Sequence, residues 1–213
     1  MEYEVRFYYS KTEYEKIIDK LKDIKELHTN LKLYEKTIQY NHSDSRYDFY
    51  TKEVDGRFRL RISRNELNNK CKLSWKQRLT DTTKDIVNKE IEKEVRINTN
   101  DVDNFIYIIE NVMHFTLVES YERYRTIFEN NDIKIAVDEY PFGLCIEVEN
   151  KSIDKQPEEV VKYWTDKLGL NINKAYRLSW DDKYEELCKE QGIDSYKEVT
   201  FDKPMPEVKN KFD

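Results

Sequence analysis

Arg57-Phe58-Arg59-Leu60-Arg61-Ile62 sets a guanidinium at every second position with an apolar side chain between. Successive side chains of a strand point to opposite faces, so the three arginines share one face and Phe58, Leu60 and Ile62 the other. Asp55-Gly56, just before it, is a hairpin signal. The same alternation continues outward along the chain. Lys72, Ser74, Lys76 and Arg78 oppose Leu73, Trp75 and Leu79, and Glu90, Glu92, Glu94 and Arg96 oppose Ile91, Val95 and Ile97. Residues 117–129 carry Arg123 and Arg125 on one face, and in 132–139 Lys134, Ala136 and Asp138 oppose Ile133, Ile135 and Val137. Upstream, residues 32–41 and 46–53 read as two strands around the polar turn Asn41-His42-Ser43-Asp44.

At the two ends of this series the inward charge changes sign. Residues 2–9 alternate Glu2, Glu4 and Arg6 with Tyr3, Val5 and Phe7. The turn Tyr140-Pro141-Phe142-Gly143 leads into Leu144-Cys145-Ile146-Glu147-Val148-Glu149, with a second carboxylate pair and with Cys145 on the same face. Helical spacing follows Ser10-Lys11-Thr12-Glu13, which reads as a capping box, and predicts a helix over 11–27. Further helices are predicted over 101–113, 157–168 and 180–191, while the tail after Ser195, with Pro204 and Pro206, shows no period.

Eight or so strands, each charged on one face and apolar on the other, predict an α+β fold: a closed eight-stranded antiparallel β-barrel with helices packed outside. The composition, 38% hydrophobic and 38% charged, is too polar for a core covered on every side. The charged faces are therefore placed inside a hydrophilic tunnel, and the apolar faces outside, beneath the amphipathic helices.

The formal net charge of -6 argues against a general nucleic-acid binder, although a local basic channel is compatible with an acidic exterior. The 16 Tyr argue against disorder, and the 4 Gly and 4 Pro leave no long linker. Cys71, Cys145 and Cys188 form no CxxC and read as reduced core thiols. With no apolar leader and no run of 18 apolar residues, the expectation is a cytoplasmic protein with no membrane partner. No glycine-rich phosphate loop occurs, and His28, His42 and His114 match no metal spacing.

Carboxylates two apart on one strand face lie about 7 Å from each other and repel by ~2.4 kcal/mol at an effective dielectric of about 20. Two such pairs, with Asp138 near them, favour a bound cation. An all-oxygen donor set suits a hard ion, Mg2+ or Mn2+. The basic side chains outnumber these glutamates and need an anion of their own. A phosphate chain meets that need, bound bidentately by Arg forks and by Lys as a point charge.

These motifs resemble the CYTH superfamily, the triphosphate tunnel metalloenzymes. Glu2-Tyr3-Glu4-Val5-Arg6 is similar to the family's opening ExExK, with Arg6 where Lys is usual. Phe58-Arg59-Leu60-Arg61-Ile62 resembles its LRxR strand, Leu73-Ser74-Trp75-Lys76 its strand ending in a phosphate-contacting Lys, and Tyr121-Glu122-Arg123-Tyr124-Arg125 its KxR segment. Val137-Asp138 with Gly143 to Glu149 resembles its acidic strand pair, and Lys174-Ala175-Tyr176 its late Lys-Ser-Tyr signature with Ser replaced.

The resemblance spans residues 1–178, an expected tunnel domain, and leaves 179–213 as a C-terminal helical segment and irregular tail. It implies Mg2+ or Mn2+ held by Glu2, Glu4, Asp138, Glu147 and Glu149, with the four glutamates catalytic. It implies phosphate binding by Arg6, Arg59, Arg61, Lys72, Lys76, Arg78, Arg123, Arg125, Lys134 and Lys174. The expected reaction is metal-dependent hydrolysis of a triphosphate-bearing small molecule by in-line water attack. A class IV type adenylyl cyclase and a non-catalytic polyphosphate-binding module are the alternatives. An RNA 5′-triphosphate end is the one nucleic-acid partner kept open, and the chain is expected to be a monomer or homodimer.

Overall fold

In a computed structural model, residues 3–51, 53–67, 69–78 and 90–212 are described. In chain order the elements are β1 (Glu4–Tyr9), α1 (Tyr14–Lys22), β2 (His28–Thr29), β3 (Leu33–His42), β4 (Gly56–Arg64), β5 (Asn69–Arg78) and β6 (Glu90–Ile97). They continue with α2 (Val102–Tyr107), β7 (Phe115–Glu129), β8 (Ile133–Tyr140), β9 (Gly143–Asn150), α3 (Pro157–Lys167), α4 (Trp180–Gln191) and β10 (Glu198–Val199). Eight strands form one antiparallel path, β1-β9-β8-β7-β3-β4-β5-β6, and the short β2 and β10 both pair with β7.

The expected strands and helices are present with three differences. Residues 46–53 are not a strand: Ser45–Tyr47 is a 3-10 turn capped by Asp44. The side chains of Asn41 and Asp48 accept from the backbone N–H groups of Phe49 and Tyr50, which would otherwise serve a ladder. The expected capping box at Ser10 is half formed. Its Oγ accepts from Thr12 N, but its own N–H donates to Asn210 O at 2.8 Å. A full box caps α4 instead, between Ser179 and Asp182.

The third difference concerns closure. Among the described residues β1 and β6 do not pair, so the sheet curls into a tunnel without closing its hydrogen-bond ladder. Both edges carry carboxylates toward the cavity, Glu4 on β1 and Glu92 and Glu94 on β6.

The outward faces are apolar and covered, as the alternation requires. Ile17, Ile18 and Leu21 of α1 and Val160, Val161 and Trp164 of α3 pack on Val5, Phe7, Ile135, Val137, Ile146 and Val148 of β1, β8 and β9. Each such aliphatic side chain, fully buried, stabilises the fold by about 1.5–3 kcal/mol. A second cluster lies beneath α2, where Val102 and Ile109 meet Tyr40, Leu60 and Cys71. Gly56, at the start of β4, has Trp75 lying over it: a Cβ there would come within 2.2 Å of the indole.

The inward face changes character along the barrel axis. Tyr8, Cys145, Tyr140 and Tyr121 continue the charged faces of β1, β9, β8 and β7, and there the interior is aromatic. Trp180 and Tyr184 of α4 close over them, with ring centroids 4.3 Å apart between Tyr121 and Trp180. The tail straps this end: Val208 N donates to Phe142 O at 2.9 Å, and Asn210 Nδ2 to Tyr8 O at 3.2 Å. Among the described residues, no helix is long and apolar enough to cross a membrane.

Candidate active site

Inward side chains of β1, β3 to β9 and the start of α4 line a cavity of about 400 Å³. Its described lining includes nine cations and six carboxylates. The cations are Arg6, Arg57, Arg59, Arg61, Lys72, Lys76, Arg123, Arg125 and Lys134; the carboxylates are Glu4, Glu35, Glu92, Glu94, Glu147 and Glu149. Cations exceed carboxylates by three in the lining itself, an excess partly offset from behind by Asp138 at Arg123 and Arg125 and by Asp55 at Arg57, inside a chain whose net charge is -6.

One side of the cavity, on β1, β7, β8 and β9, is a charge network. Arg125 forks onto Asp138, with Nε to Oδ1 and Nη2 to Oδ2 both at 2.5 Å. Arg123 donates to Asp138 Oδ2 at 2.8 Å and to Glu35 Oε2 at 2.8 Å. Glu147 takes Arg125 on one oxygen and Arg6 Nε at 3.2 Å on the other; Arg6 also holds Glu4, and Lys134 holds Glu149. Burial alone would lower the Arg123 pKa, but Asp138, Tyr140 and Glu35 carry it well above its ordinary value. Burial would raise the pKa of Glu147, yet Arg125, Arg6, Arg123 and Lys134 hold it well below the usual carboxylate range. Glu35 is likewise driven low, against burial, by Arg123, Arg61 and Arg125.

The opposite side, on β3, β4 and β5, is cationic and differently held. Arg59 donates through Nε to Gln39 Oε1 at 3.1 Å, and Arg61 through Nε to Thr37 Oγ1 at 3.2 Å. Both partners are neutral, so these contacts orient the guanidinium forks without neutralising them. Lys72 meets Glu94 at 2.6 Å and Lys76 meets Glu92 at 3.2 Å.

Of the residues singled out from sequence, Glu4, Arg6, Arg59, Arg61, Lys72, Lys76, Arg123, Arg125, Lys134, Glu147 and Glu149 come together on this cavity. Glu2 and the side chain of Arg78 lie outside the described residues. Two of the expected residues do not line this cavity. Asp138 is 0% exposed and both of its oxygens are held by arginines, so it positions Arg123 and Arg125. Lys174 lines a different cavity with Tyr9, Asn171 and Phe212, because Tyr176 bridges to Arg6 and lays the 172–176 segment along the edge of β1. Cys145 is on the expected face but buried among the aromatic side chains.

Glu35, Arg57, Glu92, Glu94, Tyr121 and Trp180 also line the cavity and were not singled out. Alternation carried a signal for the first four, since Glu35, Thr37 and Gln39 share one face of β3 and Glu92 and Glu94 one face of β6. Trp180 had none, because it enters from a helix.

A hard dication suits part of this donor set. Glu4 and Glu149 are cross-strand partners and offer only oxygen, which fits Mg2+ or Mn2+ in chemistry. Among the described residues, no three His, Cys, Asp or Glu side chains are gathered tightly enough to hold an ion, since each glutamate here leans on a cation.

No protein-family profile and no curated protein sequence matches the chain. Solved structures do. The PH1819 protein of Pyrococcus horikoshii superposes with a TM-score of 0.67 at 25% identity, over 87% of this chain and 99% of that one. A candidate adenylate cyclase of Vibrio parahaemolyticus gives 0.64 at 15% identity, over 84% and 96%. HpAC1 of Hippeastrum, a candidate adenylyl cyclase with a dominant triphosphatase activity, gives 0.59 at 15% identity, over 92% and 99%. The shared feature is the fold.

Proposed function

We propose that this chain, which has the fold of the CYTH superfamily, binds a triphosphate-bearing small molecule in its tunnel and hydrolyses it. The observation that carries this reading is the cationic wall of β4 and β5 in an acidic protein, where Arg59 and Arg61 are aimed by neutral partners and leave an excess of positive charge. A triphosphate chain carries about four negative charges, its terminal phosphoryl about -1.5 to -2 of them. It would satisfy that excess, and the arginine forks match its oxygens bidentately.

Within this reading the two walls divide the work. Arg59, Arg61, Lys72 and Lys76 bind and align the phosphate chain. Arg123 and Arg125, fixed by Asp138, oppose them and offset charge that spreads onto the transferring phosphoryl oxygens. Glu4 and Glu149 would hold Mg2+ or Mn2+, which when bound supplies further charge compensation. A water oxygen attacks the phosphorus in line, and its proton passes to an ionised glutamate of that pair. The bridging P–O bond breaks, and its electron pair leaves with the departing phosphate group. Hippeastrum HpAC1, which shares this fold, has a dominant triphosphatase activity, and that supports the hydrolysis reading. The Vibrio protein, a candidate adenylate cyclase, favours a second reading, in which a ribose 3′-hydroxyl attacks the α-phosphorus of ATP and pyrophosphate leaves.

The test is product analysis with tripolyphosphate and with ATP, each with Mg2+ or Mn2+. Orthophosphate release that is lost in Glu149→Ala and Arg61→Ala is expected. Cyclic AMP with pyrophosphate would instead establish the cyclase. Binding without turnover in any divalent metal would leave a binding module, and no binding at all would end the proposal.

A further inference from the structure

The blind end of the tunnel collects hydrogen-bond donors that have no acceptor. Trp180 is 6% exposed and lines the cavity, and its indole Nε1 has no partner among the described residues. Gln39 is 2% exposed; its Oε1 accepts from Arg59, and its Nε2 is also without a partner there. Tyr121, cross-strand from Thr37 and in tilted ring contact with Trp180, lines the same end. The Tyr121 hydroxyl has Thr37 beside it in the same wall and lines the cavity, so it can turn its O–H toward a bound oxygen. Buried donors without acceptors are costly in an otherwise paired interior and mark a place where a ligand supplies the oxygens.

We propose that this end is a subsite for the end phosphoryl group of the substrate, built from Trp180 N–H and the Tyr121 hydroxyl beside Arg59, which Gln39 holds in place. The proposal rests on the tunnel binding a phosphate chain and adds where that chain ends and in which direction it enters. The substrate goes in phosphate-first and stops against the Trp180 and Tyr140 rings, with any organic group toward the open end of the tunnel. Glu119, the cross-strand partner of Gln39, has its pKa pushed up to about 8 by burial and by Asp181, so at neutral pH it too is a neutral neighbour of this end and not a repelling charge. α4 thus contributes a binding residue from outside the stretch that carries the family motifs.

The experiment compares tripolyphosphate affinity and turnover in Trp180→Phe, Tyr121→Phe and Arg59→Ala. Both conservative variants keep an aromatic ring in place and remove one donor. Each is expected to weaken binding about tenfold, the effect of one hydrogen bond to a charged oxygen. KM should rise with kcat within about twofold of wild type, the mark of lost ground-state binding. If both variants bind tripolyphosphate like wild type while Arg59→Ala does not, the subsite is overturned and the tunnel reading survives. If Arg59→Ala also binds like wild type, the tunnel reading itself fails. Thermal melting of Trp180→Phe, with Tyr121→Phe as the second variant, separates lost packing from lost donation.

Discussion

Replacing Asp138 tests whether this carboxylate acts through protein contacts or through metal. It is 0% exposed, and its two oxygens receive Arg125 Nε and Nη2 at 2.5 Å and Arg123 Nη1 at 2.8 Å. Asp138→Asn keeps the shape, removes the charge, and turns an amide donor toward guanidinium donors. Breaking a buried ion pair from one side costs about 3–5 kcal/mol, because the surviving charge has lost its compensation. For a chain of this size each kcal/mol lowers Tm by about 2–4 °C, so the fall should be about 6–20 °C. Urea denaturation in EDTA is the assay, since it excludes any metal contribution. A loss below about 1 kcal/mol in EDTA, appearing only when Mn2+ is added, would refute this account and return Asp138 to the metal ligands.

Two further outcomes follow from the same geometry. Glu119 has a folded pKa of about 8, above its unfolded value, so its contribution to stability is fully present below the unfolded pKa and is lost as pH rises through about 8. Glu119→Gln should therefore be more stable than wild type at pH 9, by up to about 5 kcal/mol, and the two should converge near pH 4; parallel stability curves across that range would contradict the shift. Lys174→Ala should leave tripolyphosphate affinity within about twofold of wild type while Arg61→Ala weakens it about a hundredfold, because only Arg61 lines the tunnel; equal losses in a calorimetric titration would put Lys174 back among the phosphate ligands.

What the sequence made legible and what it concealed divide along one physical line. Which face a residue occupies is local information: the side-chain period of a strand is two, so Arg57, Arg59 and Arg61 had to share a face whatever they met there. Eleven of the residues singled out on that basis line the cavity. Which carboxylate meets which cation is not local. Arg123 finds Glu35 across 88 positions of sequence through the β3–β7 register, and alternation gives no register between strands. Asp138 was therefore legible as an inward carboxylate but not as one enclosed by two arginines. The open seam has the same origin, since closure depends on how two edges far apart in sequence confront each other, and both carry glutamates. The strand expected over 46–53 is absent for a different reason: Asn41, Asp44 and Asp48 offered the backbone a local alternative to the ladder. Trp180 was hidden most completely. It belongs to an amphipathic helix whose buried side reads as ordinary core, and only the docking of α4 over Tyr121 and Tyr140 turns one face of that core into the floor of the tunnel. The charges that line the cavity were thus written in strand alternation, whereas the depth of the cavity is decided by tertiary packing.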